Sequence, residues 1–149
     1  MKIVPVTEAD HPRLVEIWEA SVRATHDFLT EADIQVLKPL ILHEYLRAVD
    51  LVGCEDESGL IGFMGTRGRR VEMLFIAPER FGRGAGRALV EHAVAALGCD
   101  EVDVNEQNPK AVGFYRRVGF RVVARSPRDG QGKPFPLLHM KTGDEAGKS

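Results

Sequence analysis

The sequence has few cysteines, no long apolar run and no excess of charge of either sign, and each shortage excludes a class of protein. Cys54 and Cys99 are the two cysteines among 149 residues, which is too few for a disulfide framework. No run approaches the roughly 18 apolar residues that a membrane-spanning helix needs. The segment Met1–Pro5 lacks the apolar stretch of a secretory signal. These absences predict a protein of the reducing cytoplasm.

The charge of the chain is nearly balanced. Twenty Lys and Arg residues against 22 Asp and Glu residues give a formal net charge of −2. We therefore expect no nucleic-acid or membrane partner that binds an overall positive field. The histidines are scattered, and no Cys-x-x-Cys or His-Glu-x-x-His spacing occurs, so we expect no metal site.

Length and composition favour a single globular domain. The 149 residues are 44% hydrophobic and 28% charged, which is the balance of one ordinary domain with its own core. We expect that domain to cover residues 1–141 and a polar tail to cover residues 142–149. Whether the protein is a monomer or a homodimer stays open at this point.

Hydrophobic periodicity predicts helices and strands along the whole chain. Helices are predicted over about residues 12–25, 31–47, 84–97 and 109–118. Strands are predicted over about residues 2–6, 49–54, 60–64, 71–76, 101–105, 120–124 and 135–140. Pro39 is expected to break or kink the second helix, since proline lacks a backbone N–H.

The glycine-rich loop Gly82–Arg87 carries the densest chemical signal. It connects a predicted strand to a predicted helix. Glycines let the backbone turn tightly and approach a ligand closely, and the free N–H groups at a helix start favour an anion. Arg80 and Arg83 add positive charge nearby. A phosphate-bearing ligand is the hypothesis, and a glycine-rich turn with solvated arginines is the alternative.

Two familiar phosphate-binding loops fit this segment less well. A Walker loop ends in Gly-Lys-Ser/Thr, which the chain lacks. A Rossmann loop needs a glycine where this chain has Arg87, and it follows its strand directly, whereas five residues separate Ile76 from Gly82. A small dinucleotide-binding protein remains an alternative. Asp103 follows the glycine-rich loop by about 20 residues, which is the sequence distance expected of the acid that binds the ribose.

Two segments, in the right order and spacing, resemble the GNAT N-acetyltransferases. The strand 71–76, followed by Gly82-Arg83-Gly84-Ala85-Gly86 and a helix, resembles the acyl-CoA-binding motif of that family. Residues 108–120 resemble its second motif, Asn-x-x-Ala-x-x-Phe-Tyr-x-x-x-Gly-Phe. The resemblance extends from Ile3 to about Met140. Residues 24–29, 104–108 and 132–138 look particularly like the YjaB-type acetyltransferases of bacteria.

The resemblance implies both a fold and a reaction. The fold is α/β, with a mostly antiparallel central sheet that splays near its middle and helices on both faces. The reaction is transfer of an acetyl group from acetyl-CoA to a primary amine of a small molecule or a protein, without a metal. A non-catalytic acyl-CoA-binding sensor or partner protein is the alternative. Phe81 departs from the family, which usually has Arg or Gln directly before the first glycine.

The resemblance also assigns a cofactor site. It implies that backbone N–H groups of the strand before the loop hold the acetyl carbonyl and pantetheine, that the loop holds the phosphates, and that Asn108 contacts pantetheine. Asn105 is implied to contact pantetheine or substrate. The implied cofactor-binding residues are Leu74, Phe75, Ile76, Gly82, Arg83, Gly84, Ala85, Gly86, Arg87, Asn105 and Asn108.

Tyr115 and Glu72 are the implied catalytic residues. Tyr115 fits the tyrosine that gives a proton to the departing CoA sulfur, and the alternative is a core aromatic residue. Glu72 stands alone among the apolar residues of its predicted strand, so partial burial would make its carboxylate a stronger base or an amine-holding group. The alternative for Glu72 is an exposed strand position. The resemblance also allows a water relay in place of any side-chain base.

The acceptor is implied to contact the segment between the first two helices. His26, Asp27 and Phe28 lie there, and a solvated helix–helix loop is the alternative. Variable loops form the acceptor pockets of the family, here around His26, Pro39 and residues 126–136. The identity of the amine does not follow from a fold.

Overall fold

Strands and helices follow one another nearly as the periodicity predicts. The computed structural model describes residues 1–130 and 132–143, so residues 144–149 of the predicted tail lie outside the described part. The strands are β1 (Lys2–Pro5), β2 (Asp50–Asp56), β3 (Gly59–Arg67), β4 (Arg70–Ile76), β5 (Glu101–Asn105), β6 (Arg121–Ser126) and β7 (Leu137–Lys141). The helices are α1 (His11–Thr25), α2 (Glu31–Leu40), α3 (Ala85–Ala96) and α4 (Pro109–Arg117).

All seven strands form one sheet in the order β1-β2-β3-β4-β5-β7-β6. Neighbouring strands are antiparallel, apart from β4 and β5, which are parallel. That parallel pair is joined at two positions, Arg70 with Glu101 and Val71 with Val102. Beyond these pairs the two strands separate. The predicted α/β fold with a mostly antiparallel sheet that splays near its middle is confirmed.

Two apolar clusters cover the two faces of the sheet. On one face α1 and α2 bury Leu14, Trp18 and Ile34 against Phe63 of β3. On the other face α3 and α4 form a second cluster that includes Leu89. Full burial of one such side chain contributes about 1.5–3 kcal/mol to folding. The two layers fix the sheet from both sides and leave the separation of β4 and β5 as the place where a ligand can enter.

Helix α2 changes type directly after Pro39, where the sequence predicts a break or a kink. The helix ends at Leu40 and passes directly into a π-helical turn, Ile41–Tyr45, and then a 3-10 turn, Leu46–Ala48. Proline removes one donor and crowds the carbonyl one turn earlier. A change of helix type directly after the proline absorbs that defect without ending the helix.

Both cysteines are buried and unpaired. Burial raises the pKa of the Cys54 and Cys99 thiols, which keeps them protonated and unreactive. Within residues 1–130 and 132–143, no helix is long and apolar enough to cross a membrane.

Candidate functional site

Two cavities adjoin where β4 and β5 separate. The larger has a volume of about 620 Å³ and the smaller about 220 Å³. His26, at the end of α1, and Phe75, on β4, line both of them. The arrangement provides one large and one small compartment with a shared boundary.

The larger cavity collects most of the residues implied to bind the cofactor. Nine of the eleven line it. Arg83 is exposed and lines neither cavity, and Asn105 lines the smaller one. The residues of the larger cavity come from the end of α1, from β4, from the glycine-rich loop with the start of α3, and from α4.

The glycine-rich loop presents backbone rather than side chains to this cavity. Gly82 and Gly84 have φ of 77° and 92°, a left-handed conformation that other residues adopt only with strain. Gly84 is the N-cap of α3, and no side chain caps the first N–H groups of that helix. A Cβ atom built on Gly86 would lie 3.3 Å from the Phe114 ring, so the glycine allows close contact with α4. Uncapped N–H groups at a helix start form an anion site, which fits the phosphates of CoA.

The exposed backbone edge of β4 faces the same cavity. The Ala77 N–H donates to the Ile61 carbonyl at 2.8 Å. Because hydrogen bonding alternates along an antiparallel pair, Phe75 is also bonded to β3, whereas Leu74 and Ile76 direct their N–H and C=O groups to the other side. There β5 has already diverged. The backbone of Leu74 and Ile76 is therefore free to bind a ligand, and that of Phe75 is used within the sheet.

The arginines near the loop are engaged in ion pairs. Arg80 lines the larger cavity, and its Nε donates to Asp56 at 2.8 Å. Hydrogen bonds from Ser58, followed by the bond from Arg80, lower the pKa of Asp56 to about 2, so this carboxylate is charged at neutral pH. Arg87 pairs with Glu91 at 2.9 Å. These contacts place positive charge beside the loop in a fixed position.

Tyr115 combines a buried ring with a place on the wall of the larger cavity. Its side chain is 6% exposed, and its ring contacts Phe114 and Phe120 edge-on, with centroids 5.0 and 5.6 Å away. Burial raises the pKa of its hydroxyl. Among the described residues none forms a hydrogen bond with that hydroxyl. The phenol therefore stays protonated throughout the physiological pH range.

Asn108 has one polar group engaged in the fold and another available. Its side-chain oxygen accepts a hydrogen bond from the Ala111 N–H at 3.2 Å and so caps α4. The side chain is 8% exposed and lines the larger cavity. A helix cap and a ligand contact are compatible in this position.

The smaller cavity has apolar walls and a polar rim. Helices α1 and α2 supply Trp18 and Leu37, and Phe135 comes from the segment before β7. The rings of Phe28 and Phe135 lie 5.6 Å apart. The polar side chains at this cavity are His26, Asp33, Asn105, Asp129 and Lys133. The shape and lining suit a narrow aliphatic group.

Of the implied acceptor contacts, the structure brings together His26 and Phe28. Their ring centroids are 5.1 Å apart, and both line the smaller cavity. Asp27 is exposed and lines neither cavity. Sequence reasoning marked residues 126–136 only as a pocket-forming loop and did not single out Phe135. An aromatic residue between two prolines was the available signal.

Glu72 lines neither cavity and is exposed, which agrees with the alternative of an exposed strand position and not with partial burial. Thr66 pairs with Val71 and Gly65 pairs with Met73, which leaves Glu72 as the extra residue of a β-bulge. The bulge shifts the alternation of β4, so Val71 and Leu74 pack in the same apolar cluster. Met73 packs against the other apolar cluster, and Glu72 is turned out to solvent.

Within the described residues, no three His, Cys, Asp or Glu side chains form a group that could hold a metal ion. The polar side chains at the two cavities are instead one tyrosine, one histidine, two asparagines, one serine, one threonine and several charged residues.

Sequence comparison places residues 22–142 under a family model described as an acetyltransferase (GNAT) domain. The chain is 43% identical over 128 residues to the peptidyl-lysine N-acetyltransferase YjaB of Salmonella typhimurium, a match that covers 86% of this chain and 88% of the relative. It is 44% identical over 127 residues to the protein of the same name from Escherichia coli, covering 85% and 86% of the two chains.

Comparison with solved structures also finds N-acetyltransferases. The solution structure of apo-form YjaB from Escherichia coli matches with a TM-score of 0.84 and 40% identity, over 95% of this chain and 96% of that one. The PaiA N-acetyltransferase of Thermoplasma acidophilum in complex with coenzyme A matches with a TM-score of 0.72 over 95% and 98% of the two chains. At 23% identity, the latter likeness concerns the fold.

Proposed function

Since the chain belongs to the GNAT acetyltransferase family, we propose that the amine it acetylates is the side chain of a lysine in a protein or peptide. The chain is an N-acyltransferase that uses acetyl-CoA as co-substrate and an amine as acceptor. The proposal concerns the identity of that amine and the residues that handle it.

The observation that carries the proposal is the smaller cavity. Its volume of about 220 Å³ and its walls of Trp18, Phe28, Leu37 and Phe135 suit the four-carbon stem of lysine. A polyamine would need a buried carboxylate for its second ammonium group. Both carboxylates at this cavity already accept backbone hydrogen bonds, Asp33 from the Thr30 N–H and Asp129 from the Lys133 N–H.

The relatives support the same acceptor. Both YjaB proteins, from Salmonella typhimurium and Escherichia coli, carry the name peptidyl-lysine N-acetyltransferase. Their matches span more than four fifths of each protein. The segments that form the smaller cavity lie within the region that the solved YjaB structure covers at 40% identity.

In the proposed arrangement the larger cavity holds acetyl-CoA and the smaller cavity holds the lysine side chain. The loop from Gly82 and the backbone edge at Leu74 and Ile76 hold acetyl-CoA, and Asn108 contacts its pantetheine arm. Tyr115 gives a proton to the sulfur when the C–S bond breaks. The lysine stem enters the smaller cavity and its nitrogen reaches the shared boundary at Phe75.

The proposal treats residues 1–141 as one acetyltransferase domain of a cytoplasmic enzyme. Support for one domain comes from the single sheet, in which β1 at the start and β7, ending at Lys141, take part. Whether the enzyme is a monomer or a homodimer, and whether it avoids nucleic acid, stay predictions of the sequence.

A panel of acceptors tests the choice of lysine. Thiol release from acetyl-CoA is measured with an N-terminally blocked peptide containing one lysine, the same peptide with arginine instead, an unblocked lysine-free peptide, and spermidine. Mass spectrometry then locates the acetyl group. We expect turnover with the first peptide and its loss with arginine. Turnover confined to the free N-terminus or to spermidine would overturn the lysine proposal while leaving the acetyltransferase intact.

A further inference from the structure

We propose that His26 is the general base of the reaction and that its Nε2 atom takes the proton from the acceptor ammonium. The inference rests on the proposed placement of acetyl-CoA and the acceptor in the two cavities. It deepens that placement by assigning the proton transfer which must precede nucleophilic attack, since an ammonium nitrogen has no lone pair.

The position of His26 is the first argument. Acceptor and thioester must meet where the two cavities adjoin. Among the described residues that line the cavities, His26 and Phe75 are shared by both. Phe75 has no ionisable group, so His26 is the shared residue that can accept a proton. Its imidazole ring is held beside Phe28, with centroids 5.1 Å apart.

The hydrogen bonds of His26 determine which ring nitrogen is available. The Thr25 hydroxyl donates to the Ser21 carbonyl at 2.8 Å. The same oxygen lies 2.7 Å from His26 Nδ1. Because the hydroxyl proton is already used, the oxygen can only accept from His26, so Nδ1 carries the hydrogen. In the neutral ring Nε2 then has the free lone pair.

The neutral ring is the form that the surroundings favour. Burial lowers the pKa of His26, and the nearby Asp27 carboxylate opposes this shift without cancelling it. The charged groups around the smaller cavity are Asp33, Asp129 and Lys133, and those around the larger are Arg80, Arg87, Lys110 and Arg117. Among the charged groups near His26, Asp27 is the one whose charge shifts the pKa of the ring, and burial outweighs it.

Other groups at the cavities are less suited to this task. Glu72 lines neither cavity. Asp33 accepts the Thr30 N–H at 2.9 Å within its own helix cap. Tyr115 is a protonated phenol with a raised pKa, which makes it a donor. Of the groups at the cavities, His26 is therefore suited to be the base and Tyr115 to be the acid.

The proton and electron pairs balance in this scheme. His26 Nε2 accepts one proton from the lysine ammonium, and the freed lone pair forms the C–N bond at the thioester carbonyl carbon. The C–S bond breaks, and the sulfur takes the Tyr115 hydroxyl proton. The second nitrogen proton, lost as the amide forms, restores the Tyr115 hydroxyl through water. His26 releases its proton to solvent, so one proton leaves per turnover.

Substitution of His26 by Gln, followed over a range of pH, tests the proposal. The wild type should show an acidic limb in kcat/KM, with a midpoint below 6.5, the ordinary His pKa. In His26→Gln that limb should disappear and kcat should fall about 100-fold or more at pH 7.5, the usual size of a general-base effect. Acetyl-CoA binding, measured by calorimetry, should be retained. His43→Gln is the matched control, because His43 is exposed and lines neither cavity.

Two further measurements keep the outcome decisive. Imidazole added to His26→Ala should restore part of the rate, which a merely structural role would not produce. If neither variant folds, the midpoint of the acidic limb in the wild type is compared with the midpoint of an NMR titration of the His26 ring. Equal midpoints support the proposal, and different midpoints overturn it. A His26→Gln kcat within threefold of wild type, with the limb intact, also overturns it. If the wild type acetylates another amine, the lysine proposal fails. The kcat of His26→Gln is then compared with that of the wild type using that amine.

Discussion

The rings of Phe28 and Phe135 lie 5.6 Å apart at a tilt of 55°, although 107 positions separate them in the chain. One follows α1 and the other precedes β7, so two distant segments close the smaller cavity between them. Aromatic pairs of this kind contribute about 0.5–1.5 kcal/mol beyond the area that they bury.

Phe135→Ala should therefore weaken binding of the acceptor but not binding of acetyl-CoA. Loss of the ring removes one wall and one aromatic contact, and about 1.4 kcal/mol corresponds to a tenfold change. We expect KM for the lysine peptide to rise about tenfold with KM for acetyl-CoA unchanged. Val123→Ala, an exposed change on β6 outside both cavities, is the control. Equal rises for both substrates would contradict the assignment of the smaller cavity to the acceptor.

Gly84→Ala should weaken acetyl-CoA binding through the backbone. A side chain at a φ of 92° strains the loop by about 1–2 kcal/mol, and relief of that strain displaces the N–H groups at the start of α3. Gly59→Ala is a matched control, because Gly59 has a φ of 105°, similar open space, and a hairpin position away from both cavities. Both variants should have a lower melting temperature than the wild type. Calorimetry should show weaker acetyl-CoA binding in Gly84→Ala alone, and equal affinity would contradict the anion site.

Tyr115→Phe should lower kcat while KM and melting temperature stay close to wild type. The ring contacts with Phe114 and Phe120 are kept, and only the proton donor is lost. A drop of about 100-fold is the usual size for a missing general acid. Because burial raises the pKa of Tyr115, its ionisation should impose no basic limb below pH 10. Tyr45→Phe removes a hydroxyl outside both cavities and serves as control. A kcat equal to wild type would remove Tyr115 from the chemistry.

Glu72→Gln should change acceptor KM by less than about twofold. The residue is exposed at a bulge and lines neither cavity, and single exposed charges contribute little. Steady-state kinetics with the lysine peptide check this directly. A severalfold increase in KM would return Glu72 to the acceptor site, as a contact made outside the cavities.

Local signals in the sequence were sufficient to predict the elements that line the larger cavity. Gly82 and Gly84 require their conformations because of the turn itself, and Asn108 caps the helix that it precedes, so each position can be recognised from a few neighbours. Strand β4 and the segment Glu101–Asn105 follow from their apolar patterns in the same way. The family resemblance is strongest in these stretches because each is one continuous piece of chain.

Features that depend on strand register or on distant segments were not predictable. The bulge that exposes Glu72 arises from how β3 and β4 align, whereas simple alternation treats both faces of the strand equally. Phe135 acquires its role only when it meets Phe28. The tautomer of His26 depends on a hydrogen bond from Thr25 to the preceding helical turn. Helical continuity through Pro39 depends on the wider turn that follows.

The two residue pairs between β4 and β5 leave the rest of the β4 edge, at Leu74 and Ile76, without a neighbouring strand on that side. In the proposed binding mode acetyl-CoA takes the place of that strand. Ligand binding then adds to the free energy of unfolding, about 2.7 kcal/mol at a concentration one hundred times Kd. Amide hydrogen exchange at Leu74 and Ile76 should slow when acetyl-CoA is bound, whereas Phe75, already bonded to β3, should change less. In this proposal, the opening that admits the substrate couples the stability of the fold to the concentration of acetyl-CoA.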